Sequence, residues 1–148
     1  MIKLIVVNKS KQLNAQRLEA HFKKIQSHFL KQRLRNKKLL SQKTELTLVF
    51  LSRSEMQRIN FQFRQKNKAT DVLSFESADE NSIGEILFCL DVLKMQAKQQ
   101  RHTLEQELLY MLVHGLLHLL GYDHEISKNE EKLMFHLQDQ CFKQLNGG

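Results

Sequence analysis

The stretch His114-Gly115-Leu116-Leu117-His118-Leu119-Leu120-Gly121-Tyr122-Asp123-His124 decides how this chain folds. Leu108, Leu109, Leu112, Val113, Leu116, Leu117, Leu119 and Leu120 make one helix apolar nearly all round, which predicts that it is buried at the centre of the molecule. His114 and His118 lie one turn apart on it, with β-carbons about 6 Å from each other, a spacing at which two imidazoles can grip one ion. If the helix ran on, His124 would be rotated by about 240° and could not join them. The chain must reverse, and Gly121 can enter the left-handed conformation that ends a helix without steric penalty. Two imidazoles on one face of a buried helix would otherwise each need a partner to offset desolvation. A shared metal meets that need. Neither cysteine has ligand spacing, so three protein ligands are expected, and an open position for water favours chemistry over a purely structural site. The expectation is one zinc ion per chain on His114, His118 and His124.

Outward from this helix, capping signals divide the chain. Thr103 with Gln106 opens the histidine helix, Ser52 with Glu55 opens an earlier one, and Ser127 with Glu130 opens the last. The last helix is expected to turn Leu133, Leu137 and Cys141 inward, with Met134 as core packing. Leu18, Phe22, Ile25 and Phe29 recur at helical spacing from about Asn14 to Leu30. The helix after Ser52 carries Met56, Ile59 and Phe63 on its apolar face, and Asp91 is placed to cap a short helix reaching about Gln99. Ile2 to Val7, Glu45 to Phe50, Asp71 to Phe75 and Ile83 to Leu90 read as strands, the last two as a hairpin. This predicts an α+β fold over residues 1–148 as a single domain: a small mixed four-stranded sheet packed with about five helices. The first three strands are expected to be joined by right-handed crossovers, with the fourth antiparallel.

The chain has 148 residues, 41% of them hydrophobic and 26% charged, which fits a globular protein with its own core. No run reaches the roughly 18 apolar residues of a membrane span. Cys89 and Cys141 sit within apolar patterns, as buried thiols in a reducing compartment would, so a cytoplasmic location is expected. The net charge of +7 hides an asymmetry. Residues 1–68 hold 17 Lys and Arg against Glu19, Glu45 and Glu55, giving +14, whereas residues 69–148 carry −7. Such a field attracts a polyanion to one side of the molecule. Lys31 to Lys43 is its densest stretch and includes Lys37 and Lys38; Lys66 and Lys68 form a second pair beside Arg64.

Two segments together resemble one family, YbeY, metal-dependent endoribonucleases that act as ribosomal-RNA maturation factors. The first is the histidine stretch. The second is Ile59-Asn60-Phe61-Gln62-Phe63-Arg64 running on to Ala69-Thr70-Asp71-Val72-Leu73-Ser74-Phe75, followed by Ile83-Gly84-Glu85-Ile86. Ala69 stands where that pattern has proline, Ile59 where it has leucine and Phe63 where it has tyrosine; the metal ligands are untouched. The resemblance implies zinc on the three histidines, single-stranded RNA as substrate, ribosomal RNA and the ribosome or its proteins as partners, and catalytic roles for Arg64 and His114. It implies no small-molecule cofactor and no membrane. Read by itself, Arg64 ends a helix just before its basic neighbours Lys66 and Lys68, where a guanidinium can clamp a phosphodiester or pair with Asp71. Asp71 is expected to orient Arg64 or a histidine, and Glu85 is the candidate for a general base.

The histidine spacing also matches the metzincin peptidases, except that Gly115 replaces their glutamate base. Its loss removes a factor of about 10²–10⁴ that amide hydrolysis can hardly spare. Gly115 also costs the helix about 1 kcal/mol relative to alanine, which is read as leaving room for a bulky polyanion beside the metal. A third reading is a ribosome-associated RNA-binding module whose zinc only staples the fold.

Overall fold

A computed structural model describes residues 2–146. In chain order they form β1 (Lys3–Val7), α1 (Ala15–Leu30), α2 (Leu39–Gln42), β2 (Glu45–Leu51), α3 (Arg53–Arg64), β3 (Val72–Phe75), β4 (Ser82–Cys89), α4 (Leu90–Gln100), α5 (Leu104–Leu119) and α6 (Lys128–Leu145). The architecture is α+β, with six helices among the described residues instead of about five. The extra one is α2, a single turn inside the basic segment, too short to show a helical period.

The sheet order is β1-β2-β4-β3, with β1, β2 and β4 parallel. The antiparallel strand is therefore β3, not the fourth strand as expected. The short connection 76–81 pairs β3 and β4 as the expected hairpin, and β4 enters beside β2 in the parallel sense, which leaves β3 reversed at the edge. The near-continuous apolar run of β4 suits this interior place, since both of its faces are covered. Leu46, Leu48 and Phe50 of β2 join Ile86 and Phe88 of β4 in the main core with α1 and α5. Val49 and Leu51, with Leu73, Leu87 and Cys89, face the other way and close against Met56 of α3. Alternation along β2, β3 and β4 thus covers the sheet on both faces, while Lys3, Ile5 and Val7 leave one face of β1 exposed.

Local chemistry sets the helix ends. Asn14 accepts from the Arg17 N–H, and the boxes at Ser52–Glu55 and Thr103–Gln106 form in both directions. Caps of this kind stabilise a helix by about 1 kcal/mol each. At α6 only half a box forms: Ser127 accepts from the Glu130 N–H, while the Glu130 carboxylate is taken by Arg35. The Asp91 side chain does not cap α4. The cap position falls on Cys89 with no side-chain bond, because β4 runs directly into the helix and puts Asp91 inside its first turn. The inward stripe of α6 is Met134, Gln138 and Cys141; Leu133 is 38% exposed, contrary to expectation. Both cysteines are free and buried, and burial pushes the Cys141 thiol up to about 12, so it is no nucleophile at neutral pH. No described helix is long and apolar enough to cross a membrane.

Candidate active site

Helix α5 is buried along its length from Glu107 to Leu120 except at Tyr110 and His118, and His118 opens onto a cleft of about 670 Å³. The helix stops as the glycine requires. Gly121 has φ +103°, its N–H donates to the His118 carbonyl at 3.0 Å, and the Tyr122 N–H returns to the Leu117 carbonyl at 3.1 Å. The reversal is fastened from the basic segment. Asn36 Nδ2 donates to the Leu120 carbonyl, the Arg35 N–H donates to the Tyr122 hydroxyl, and the Arg35 guanidinium lies 4.6 Å over the Tyr122 ring while binding Glu130. The returning chain brings the His124 ring to 5.1 Å from that of His114. His114, His118 and His124 all line the cleft.

The buried His114 is held by Gln138, whose Oε1 lies 3.1 Å from His114 Nδ1 while its Nε2 donates to the Tyr110 carbonyl at 3.0 Å. Only a donor can face a carbonyl, so the amide is oriented, and its oxygen requires a proton on His114 Nδ1. The neutral ring then presents its Nε2 lone pair. Burial holds the His114 imidazole below its ordinary pKa, opposed by the Gln138 hydrogen bond. Nδ1 of His124 is buried with no hydrogen-bond partner. A neutral imidazole with a directed lone pair, beside another with an orphaned nitrogen, fits a metal ion as a donor set. In placement, however, no three His, Cys, Asp or Glu side chains among the described residues form a group that could hold a metal ion.

Arg64 lines the same cleft from the end of α3, where Gln65 adopts φ +58° and turns the chain away. Its guanidinium pairs with Glu125, the residue after His124, and not with Asp71. That contact holds the Glu125 carboxyl below its usual range. Asp71 also lines the cleft, but its oxygens accept from Thr70 Oγ1, the Val72 N–H and Gln96 Nε2. It fixes the start of β3 and reaches the histidines only through its charge, which favours protonated His114. Lys66 and Lys68 line the cleft, on a loop tied down by Asn60 Nδ2 donating to the Lys68 carbonyl. Lys37 and Lys38 do not line it. The Lys37 ammonium is engaged by the carbonyls of Leu30 and Gln32, where it caps the end of α1. Glu85 is exposed on β4 and is not among the cleft residues.

Gly115 has a different role from the one expected. A β-carbon there would meet two carbons of Ile86 and the hydroxyl of Ser74, each at 3.0 Å. The glycine lets α5 lie close against β3 and β4; it leaves no room for substrate.

The family model described as Endoribonuclease YbeY matches residues 5–146. The chain belongs to the YbeY family. An Endoribonuclease YbeY of Bdellovibrio bacteriovorus is 54% identical over 115 residues, covering 76% of this chain and 77% of the relative. The Endoribonuclease YbeY of a Sulfurihydrogenibium species is 38% identical over 136 residues, covering 86% and 88%. A Thermotoga maritima protein solved in solution superposes with a TM-score of 0.63 at 28% identity, over 98% of this chain and 90% of its own. YbeY membership carries the coarse chemistry: a nuclease of the hydrolase class with RNA as its substrate.

Three cleft residues of this YbeY chain escape sequence reasoning. Gln138 lies on the inward stripe of α6, and a polar side chain there must have a buried partner; that is its signal. Glu125 gives none, since nothing in the sequence ties it to Arg64. Phe135 lines the cleft with its ring 6.4 Å from His114 and 6.1 Å from His124, at an α6 position facing away from the core.

Proposed function

We propose that this chain is a zinc-dependent endoribonuclease that cuts single-stranded RNA. The observation that carries the reading is the meeting of His114, His118 and His124 with Arg64, Lys66 and Lys68 in one cleft. The three histidines would hold the ion, which when bound supplies Lewis acidity toward a phosphoryl oxygen. Gln138 keeps the proton of His114 on Nδ1 and so keeps Nε2 free to bind. The Arg64 guanidinium takes the non-bridging oxygens of the scissile phosphate, exchanging the Glu125 carboxylate for the phosphodiester as RNA enters. Lys66 and Lys68 draw the neighbouring phosphates along the same wall. Asp71 keeps the strand that frames this wall in place.

The finer assignment is ribosomal RNA as substrate, within ribosome maturation and quality control in the cytoplasm. Its support is the family resemblance together with the +14 charge of residues 1–68. No carboxylate stands at position 115 to serve a peptidase. The test is cleavage of single-stranded RNA and of an unstructured peptide, each with and without chelator. Chelator-sensitive RNA cleavage that falls by about 10²- to 10³-fold in Arg64→Ala, with zinc retained, is the expected result. Chelator-sensitive peptide cleavage with RNA left intact would overturn it.

A further inference from the structure

The helical period places Phe63 in the core with Met56 and Ile59, yet only Met56 is fully buried. Phe63 is 60% exposed and lines the cleft. Its ring is braced edge-on against Phe75, with centroids 5.1 Å apart and planes at 62°, so it is held in place while much of it stays open. It immediately precedes Arg64, and Lys66 and Lys68 follow on the same wall. A supported aromatic face among cations is how single-stranded nucleic acid is held: the cations follow the backbone and the ring stacks a base. A base inside a duplex has both faces covered, so such a ring selects unpaired nucleotides.

We propose that Phe63 is the stacking platform for an unpaired nucleobase beside the phosphate held by Arg64, and that it carries the preference of this site for single strands. The inference rests on RNA being the substrate of the cleft. Phe61 supplies an internal control. It lies two residues away on the same helix and is 56% exposed, but is not among the cleft residues.

The test measures KM and kcat for Phe63→Leu, Phe63→Trp, Phe61→Leu and the unsubstituted protein on one short oligoribonucleotide. The same strand is also presented annealed to its complement, and as a series with one abasic nucleotide moved along it. Phe63→Leu is expected to raise KM by about 5- to 150-fold on the single strand, the range of base–aromatic stacking. Little change is expected on the duplex or in zinc content. Phe63→Trp should keep the low KM, and Phe61→Leu should match the unsubstituted protein. One abasic position should reproduce the loss in the unsubstituted protein and add nothing to Phe63→Leu. Equal KM for Phe63→Leu and the unsubstituted protein on cleavable RNA would overturn the proposal. So would a Phe63→Leu loss of equal size at every abasic position, which would make the ring merely structural. If the unsubstituted protein cuts no RNA, the nuclease reading fails first, and the two failures are told apart.

Discussion

Gln138 turns its side-chain oxygen to within 3.1 Å of His114 Nδ1, from α6, the helix that follows the reversal at Gly121. Because its amide nitrogen is committed to the Tyr110 carbonyl, the contact specifies one tautomer of a buried imidazole. Gln138→Leu is expected to weaken zinc binding by about 10- to 100-fold, the usual cost of losing the partner behind a ligating histidine. Competition against a chromogenic chelator measures it. Affinity equal to that of the unsubstituted protein would mean the tautomer is set some other way.

Arg64 and Glu125 lead to opposite expectations. Arg64→Ala removes a donor to the developing charge and should cost about 10²–10³ in kcat while zinc stays bound. Glu125→Gln removes the carboxylate that competes with phosphate for the same guanidinium, and should lower KM for RNA. A higher KM in Glu125→Gln would show that the carboxylate positions Arg64 instead of competing for it.

The packing of Gly115 predicts instability in place of a blocked site. Gly115→Ala gains about 1 kcal/mol of helix propensity. It also forces Ile86 and Ser74 apart, at about 1–3 kcal/mol for overpacking. A net loss of stability in urea denaturation is therefore expected, with Gly115→Glu, which would bury a charge, far worse. A stable Gly115→Glu protein that binds zinc but not RNA would restore the view that the glycine makes room for substrate.

Much of the fold is legible in the sequence because its signals are local. Capping boxes at Ser52 and Thr103, the helical period of Leu18 to Phe29, and the stop at Gly121 each depend on neighbours in the chain. Strand order is not legible. The reversal of β3 and the insertion of β4 beside β2 depend on which faces are covered, which no stretch of sequence states alone. The same divide runs through the site. That His114, His118 and His124 border one cleft is legible from their spacing around one glycine. The partners Gln138 and Glu125, and the outward turn of Phe63, come from packing between distant segments.

The two lysine pairs offer a comparison within one molecule. Charge reversal at Lys66 and Lys68, which line the cleft, should flatten the dependence of single-strand RNA binding on salt, by about 0.7 in the log–log slope for each phosphate no longer neutralised. The same change at Lys37 and Lys38 should alter it less, since the Lys37 ammonium is already engaged by backbone carbonyls. The larger effect at Lys37 and Lys38 would move the RNA path to the basic segment.

A zinc ion on His114, His118 and His124 is expected to enable RNA cleavage. The most direct measurement is a titration of zinc into fully chelated protein, with single-stranded RNA cleavage as the readout. Activity should be absent at the start, rise in proportion to added zinc and break at about one equivalent per chain, with no such rise in His118→Ala. Full cleavage by the chelated protein, or the same titration curve from His118→Ala, would contradict a zinc-dependent reaction at these three histidines.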